Sequence, residues 1–190
     1  NLVLVDLDGN KLSDDDFPVN KAGFIIHSAI HQARSKDLHC VMHSHEVNSQ
    51  TLAASKSKLI PLTQEGCQLY ERVGYHEFNG IVLNDEEKEK LINAIGNEKH
   101  TLLMRNHGLI TAGPTAAWAF IRHQHFIRNA EVQLKLMASN AEMSIISDNI
   151  LKHTREQFEG GSAQAGAKVR HPEWPAFWRL LDTLDDKWKH

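Results

Sequence analysis

The stretch His39-Cys40-Val41-Met42-His43-Ser44-His45-Glu46-Val47 places His39, His43 and His45 in one short, largely apolar run. In an extended strand alternate side chains share a face, so His43 and His45 point the same way, one pleat apart. Two imidazoles on one face are either a surface accident or half of a metal site. Catalytic zinc centres commonly use three protein ligands, often three histidines, and leave one position open. A third ligand must come from elsewhere in the sheet, and His107 suits that role. It follows the apolar run Thr101–Met104 and precedes Gly108, a residue type that permits an unusual backbone turn. Three neutral imidazoles leave the full double charge of a divalent ion in place, which suits Lewis-acid work on a carbonyl.

Most of the remaining histidines read as surface or packing residues. The chain has 13 histidines, a count that makes a metal site more plausible without locating it. His123 and His125 lie two apart on a predicted helix, about 200° around its axis, which does not put both on one ion. His27 and His31 are one helical turn apart and read as partly exposed. His27 reads as packing or as a hydrogen-bonded core residue.

The elements that must hold these residues alternate between strand and helix, an α/β layer pattern. Leu2–Leu7 and the turn Asp8-Gly9-Asn10 predict a hairpin arm. Apolar spacing predicts a helix over Ala22–Arg34, a buried strand over Leu38–His43 and a helix over Val47–Lys56. Leu59–Leu62 reads as extended and Glu65–Glu71 as a short helix. Val73–Phe78 and Ile81–Leu83 read as strands. Asn84 caps a helix reaching Ile95, with Gly96 as its stop. Thr101–Met104 is another buried strand. Pro114 opens a long helix to about Ser139, and a further helix covers Ser147–Glu159. Residues 160–166 read as a mobile Gly/Ala/Ser linker. Trp174, Trp178, Leu181 and Leu184 lie on one face of a final amphipathic helix, suited to packing or to an oligomer contact. One domain over 1–159 followed by a linker and tail over 160–190 is the expected organisation.

A chain of 190 residues is long enough for a real core. Its formal charge of −3 gives no sign of a nucleic-acid or membrane surface. No apolar run approaches the roughly 18–20 residues of a membrane helix, and no signal peptide is visible. Cys40 and Cys67 make no disulfide framework, so a reducing cytoplasmic setting is expected. The chain begins without Met, as if inside a fold, so an N-terminal part is expected to be missing. The acidic run Asp14-Asp15-Asp16 reads as a solvated loop.

Taken in order, "VNKAGFIIHSAIHQAR", "HCVMHSH" and "MRNHGLITAG" resemble the class II aldolase/adducin family over nearly the whole chain. The resemblance implies a three-layer α/β/α fold around a mixed, largely antiparallel sheet. It implies zinc, or another divalent ion, on His43, His45 and His107. It implies a homotetramer with sites at subunit interfaces and a small hydroxy-carbonyl or hydroxy-acid substrate. The chemistry implied is aldol cleavage, epimerisation through cleavage, dehydration or decarboxylation, by way of a metal-stabilised enediolate.

Two departures stand out. Sugar-phosphate aldolases of the family carry an acid/base Glu where this chain has Gly23, and the serines that bind phosphate there are absent. Lys21 still offers a positive charge. Another group must then move the proton, and the candidates are Glu46, Glu65, Tyr75 and His76. A divalent-metal lyase is the leading reading. An adducin-like oligomerisation or binding module that keeps a metal site is the second, and a non-catalytic metal or small-molecule sensor is the third.

Overall fold

The computed structural model describes residues 2–81, 85–164 and 171–184. Four strands form one mixed sheet: β1 (Cys40–Ser44), β2 (Val73–His76), β3 (Thr101–Met104) and β4 (Gly108–Gly113), in the order β1-β4-β3-β2. β4 runs antiparallel to both β1 and β3, while β2 is parallel to β3. The parallel pair needs a crossover, supplied by helix α3 (Asp85–Ile95).

Side-chain alternation divides the core between the two faces of this sheet. Leu102, Met104, Ile110 and Ala112 pack with Ile25, Ile26, Ala29 and Ile30 of α1 (Lys21–Ala33), and with Leu91 and Ile95 of α3. Leu103 and Leu109 pack on the other face with Leu52 and Ala53 of α2 (Val47–Ala54), and with Phe126 and Ala130 of α4 (Ala116–Ser139). The result is the three-layer α/β/α fold. β3 and β4 are buried along their whole length because both faces are covered.

Local chemistry sets the helix ends. The Asn20 side chain accepts the Gly23 N–H at 3.0 Å and starts α1. Thr115 caps α4, and Asn140 ends it in the left-handed conformation, at φ 53°. Two fully buried amides on α4 reach across to a segment that belongs to no strand. Asn129 accepts the Leu62 N–H at 2.8 Å and donates to the Ile60 carbonyl at 2.8 Å. Gln133 accepts the Ile60 N–H and donates to the Lys58 carbonyl, each at 2.9 Å. These bonds replace the ladder that Leu59–Leu62 lacks.

The structure redraws several expected boundaries. The hairpin arm is reduced to one bridge, Val5 to Lys11, around a turn held by the Asp6 carboxylate. Phe24 lies beside Gly9 and the Gln32 amide donates to the Leu7 carbonyl at 3.3 Å, but Leu2 and Leu4 stand exposed. β2 ends at His76, and Ile81 is an exposed bend. Val82, Leu83 and the expected cap Asn84 lie outside the described residues. Helix α5 (Asp148–Gln164) continues through Gly160 and Gly161, so 160–164 is helix rather than linker. Two glycines weaken a helix by only about 1 kcal/mol each. A helix α6 (Trp174–Leu184) is present as expected. No helix among the described residues is long and apolar enough to cross a membrane.

Candidate metal centre

β1 and the β3–β4 turn deliver the three histidines to one end of the sheet. His43 is paired with Ile110 across the β1–β4 ladder, and His45 follows the strand end. His107 lies in the short turn between Met104 and Gly108, residues paired with each other across the β3–β4 ladder. Asn106 takes the left-handed conformation in that turn, at φ 55°. Asn and Asp bear this conformation better than other residues with a side chain. Helix α2 then clamps the turn. The Asn106 N–H donates to the Ala53 carbonyl at 3.2 Å, and the Gln50 amide donates to the His107 carbonyl at 3.0 Å. The helix that begins just after His45 therefore also holds His107.

The three rings converge. Each pair of ring centroids is 4.8 Å apart, with rings edge-on to one another. The ligand nitrogens all lie within 4.8 Å of each other, and His43 Nε2 is 3.0 Å from His45 Nε2. His43 Nδ1 lies 3.0 Å from the Leu109 carbonyl oxygen. A carbonyl only accepts, so Nδ1 carries the proton and Nε2 presents a lone pair to the cluster. Burial pulls the His43 imidazole below its usual range. Burial, followed by the neighbouring His43 and His45, brings His107 down to about 4. Both are neutral at pH 7, as metal ligation requires. This donor set fits zinc or a similar divalent ion.

Gly108 matters for space, not for an unusual turn. Its φ is not positive; Asn106 makes the turn. A Cβ on Gly108 would collide with the Ser44 carbonyl oxygen and sit 2.9 Å from the His45 ring. Only a bare backbone lets β4 approach β1 this closely beside the two ligands.

Behind the centre lies a link that sequence reasoning missed. Ser44, between the two ligands, faces α4 on the other side of β1. Its Oγ is 2.6 Å from His123 Nε2, and His123 Nδ1 is 3.0 Å from Thr111 Oγ1. Thr111 donates its own proton to the Ala119 carbonyl at 2.8 Å. It must therefore accept from His123 Nδ1, which leaves Nε2 to accept the Ser44 proton. The tautomer is fixed, and the strand between the ligands is tied to α4. Ser44 and His123 are 79 positions apart, and no local pattern couples them. His125, two residues on, turns instead to Gln68 and Glu173.

Burial holds His123, 1 % exposed, at about 4. The unfolded chain takes up this proton below about pH 6.5, whereas the folded chain does so only near pH 4. The unfolded state thus binds more protons across that window, and stability falls as pH drops through it. This residue accounts for roughly 3 kcal/mol of the loss. Urea unfolding at pH 7 and pH 4.5 is expected to show that loss, with a shallower pH slope in His123→Gln.

The proton-transfer candidates lie outside the histidine group. Glu46 caps α2, accepting the Ser49 N–H and the Asn48 amide at 2.9 Å each. Glu65 is the exposed first residue of an otherwise buried 3-10 turn, Glu65–Leu69. Tyr75 packs on the α2/α4 side of the sheet, and its hydroxyl accepts the Leu59 N–H at 3.0 Å. Buried His76 stands 3.2 Å from Glu87 Oε2, out of line for a hydrogen bond. Lys21 is exposed. His27 is half-buried, its imidazole lowered first by burial and then by His43. A Cβ at Gly23 would meet only the Asn20 side chain, at 3.7 Å, so nothing steric demands glycine there.

Residues 1–134 match the family model of the Class II Aldolase and Adducin N-terminal domain. A Caulobacter vibrioides protein named for the class 2 aldolases is 37% identical over 188 residues, covering 95% of this chain and 68% of that one. An adducin-related protein of Schizosaccharomyces pombe is 33% identical, covering 99% of this chain and 59% of that one. The structure of an L-fuculose 1-phosphate aldolase from Glaciozyma antarctica superposes with a TM-score of 0.71 at 26% identity. That match covers 82% of this chain and 59% of the other.

Proposed function

Because the chain belongs to the class II aldolase and adducin family, we propose that it is a divalent-metal lyase. Its substrate is a small hydroxy-carbonyl or hydroxy-acid compound. The observation that carries this reading is the convergence of His43, His45 and His107 on one point. When bound there, zinc or a similar ion supplies a Lewis acid for charge developing on a carbonyl oxygen. The chain's own residues hold and orient it: Leu109 fixes the His43 tautomer, and Gln50 and Ala53 hold the His107 turn. The likeness to a sugar-phosphate aldolase supports aldol cleavage as the reaction. A homotetramer with sites at subunit interfaces fits the family, and a neighbouring copy can then furnish the proton-transfer group. Assay of the metal-loaded protein against short hydroxy-aldehydes, hydroxy-ketones and hydroxy-acids, free and phosphorylated, tests the reading. Metal-dependent turnover of at least one, abolished in His107→Ala, is the expected result. No turnover with full metal occupancy and native assembly overturns it.

One observation favours an adducin-like binding module instead. Glu46 and Tyr75 are each committed to a structural hydrogen bond, and Gly23 replaces the acid/base residue. In that case the metal binds but no substrate turns over.

A further inference from the structure

The end of the sheet away from the histidines holds an open cavity of about 730 Å³. His100 precedes β3, Arg72 precedes β2, His39 precedes β1, and Pro114 and Thr115 follow β4, so every strand has an end here. β4 is 6 residues long, which separates the two ends by roughly 17 Å. The cavity is therefore a separate place from the metal centre.

Its lining carries four fixed cations, Arg34, Lys36, Arg72 and Arg122, against three carboxylates, Asp37, Glu98 and Glu159. Two of the arginines are taken. Arg34 grips Asp37 with two nitrogens and donates to the Gly96 and Lys99 carbonyls at 2.9 Å. Arg72 lies 3.0 Å from Glu159 and 3.9 Å from the exposed Glu98. Arg122 differs. It donates to the Ala112 carbonyl at 2.6 Å and lies over the Trp118 ring, 5.2 Å from its centre. Among the described residues no carboxylate comes within ion-pair distance of it. Burial draws its guanidinium down to about 10, so it keeps its charge at pH 7 without a counter-ion in contact. His100 beside it is buried and held neutral by burial and by the three arginines, so it adds no charge of its own.

The cavity touches the start of α4 at Pro114 and at its cap, Thr115. A guanidinium offers two parallel donors to a phosphate. We propose that this cavity binds a small phosphate-bearing anion through Arg122, with Lys36 at the rim. The site does not depend on the lyase reading, because it shares no residue with the histidine centre.

Calorimetric titration of metal-free protein with pyrophosphate tests this, with inorganic phosphate and sulfate as further probes. One pyrophosphate per chain is expected, bound more tightly than sulfate. Arg122→Gln is expected to weaken binding about tenfold or more, the scale of one lost charge-assisted contact. Lys36→Gln, at an exposed position, is expected to weaken it several-fold at unchanged Tm. His107→Ala is expected to leave it intact. Absence of binding at millimolar pyrophosphate overturns the proposal, as does binding that both variants leave unchanged. Loss in His107→Ala overturns it too, by moving the anion to the metal centre. Equal affinity for sulfate and pyrophosphate overturns it by showing an unspecific ion site. Should Arg122→Gln not fold, Lys36→Gln and Arg122→Lys decide. Arg122→Lys keeps the charge but loses the paired donors, and is expected to bind more weakly than the unaltered protein.

Discussion

His107→Ala is expected to lower divalent-metal affinity by more than a hundredfold while the protein stays folded. Loss of a residue that merely supports a ligand costs about 10–100-fold, and here the ligand itself goes. His45→Ala should match it in metal loss with the least effect on stability, because His45 is exposed. His43→Ala should cost some stability as well, since the half-buried ring bonds the Leu109 carbonyl. Elemental mass spectrometry gives metal per chain, and circular dichroism with urea unfolding reports the fold. Stoichiometric metal retained in all three variants would remove the assignment.

The second large effect is expected from a smaller change. Gly108→Ala adds one methyl group, but it falls against the Ser44 carbonyl and the His45 ring. Overfilling of this kind costs about 1–3 kcal/mol. Relief requires β1 and β4 to part where Ser44 pairs with Leu109, which spreads the ligands. Metal affinity and stability should therefore fall together. Asn106→Gly makes the contrast. It replaces the residue that has the positive φ, which glycine adopts freely, so it should be nearly neutral. Urea midpoints and zinc titrations of the two variants separate space from backbone strain.

The layer architecture was legible because the helical apolar spacing of α1 and the short apolar runs of β1 and β3 are local signals, whereas β4, buried on both faces and beginning and ending in glycine, gave no alternation to read. The histidine cluster was legible for a simpler reason: an alternate-residue pair on a strand and a histidine beside a glycine are local patterns. What was not legible depends on distance. Glu46 follows the second ligand and looks chemical, yet its carboxylate is spent on starting α2. The tie from Ser44 to His123 has no sequence signature at all. Gly160 and Gly161 look like a linker, but α5 runs on through them. Arg155 of that helix, buried, reaches the Tyr70 carbonyl. Gly108 was read for a turn, when its value is the absence of a side chain.

The strap from Asn129 and Gln133 to residues 58–63 has a kinetic consequence. The amide hydrogens of Ile60 and Leu62 are bonded to two side chains one turn apart on α4. They can exchange with solvent only when that helix turn releases them. In deuterium-exchange measurements these two positions should be protected like the interior of α4 rather than like a surface loop, and should lose protection together with it. An irregular segment would then report on the opening of a helix it does not belong to. Asn129→Ala should free the Leu62 amide first, leaving Ile60 protected through Gln133.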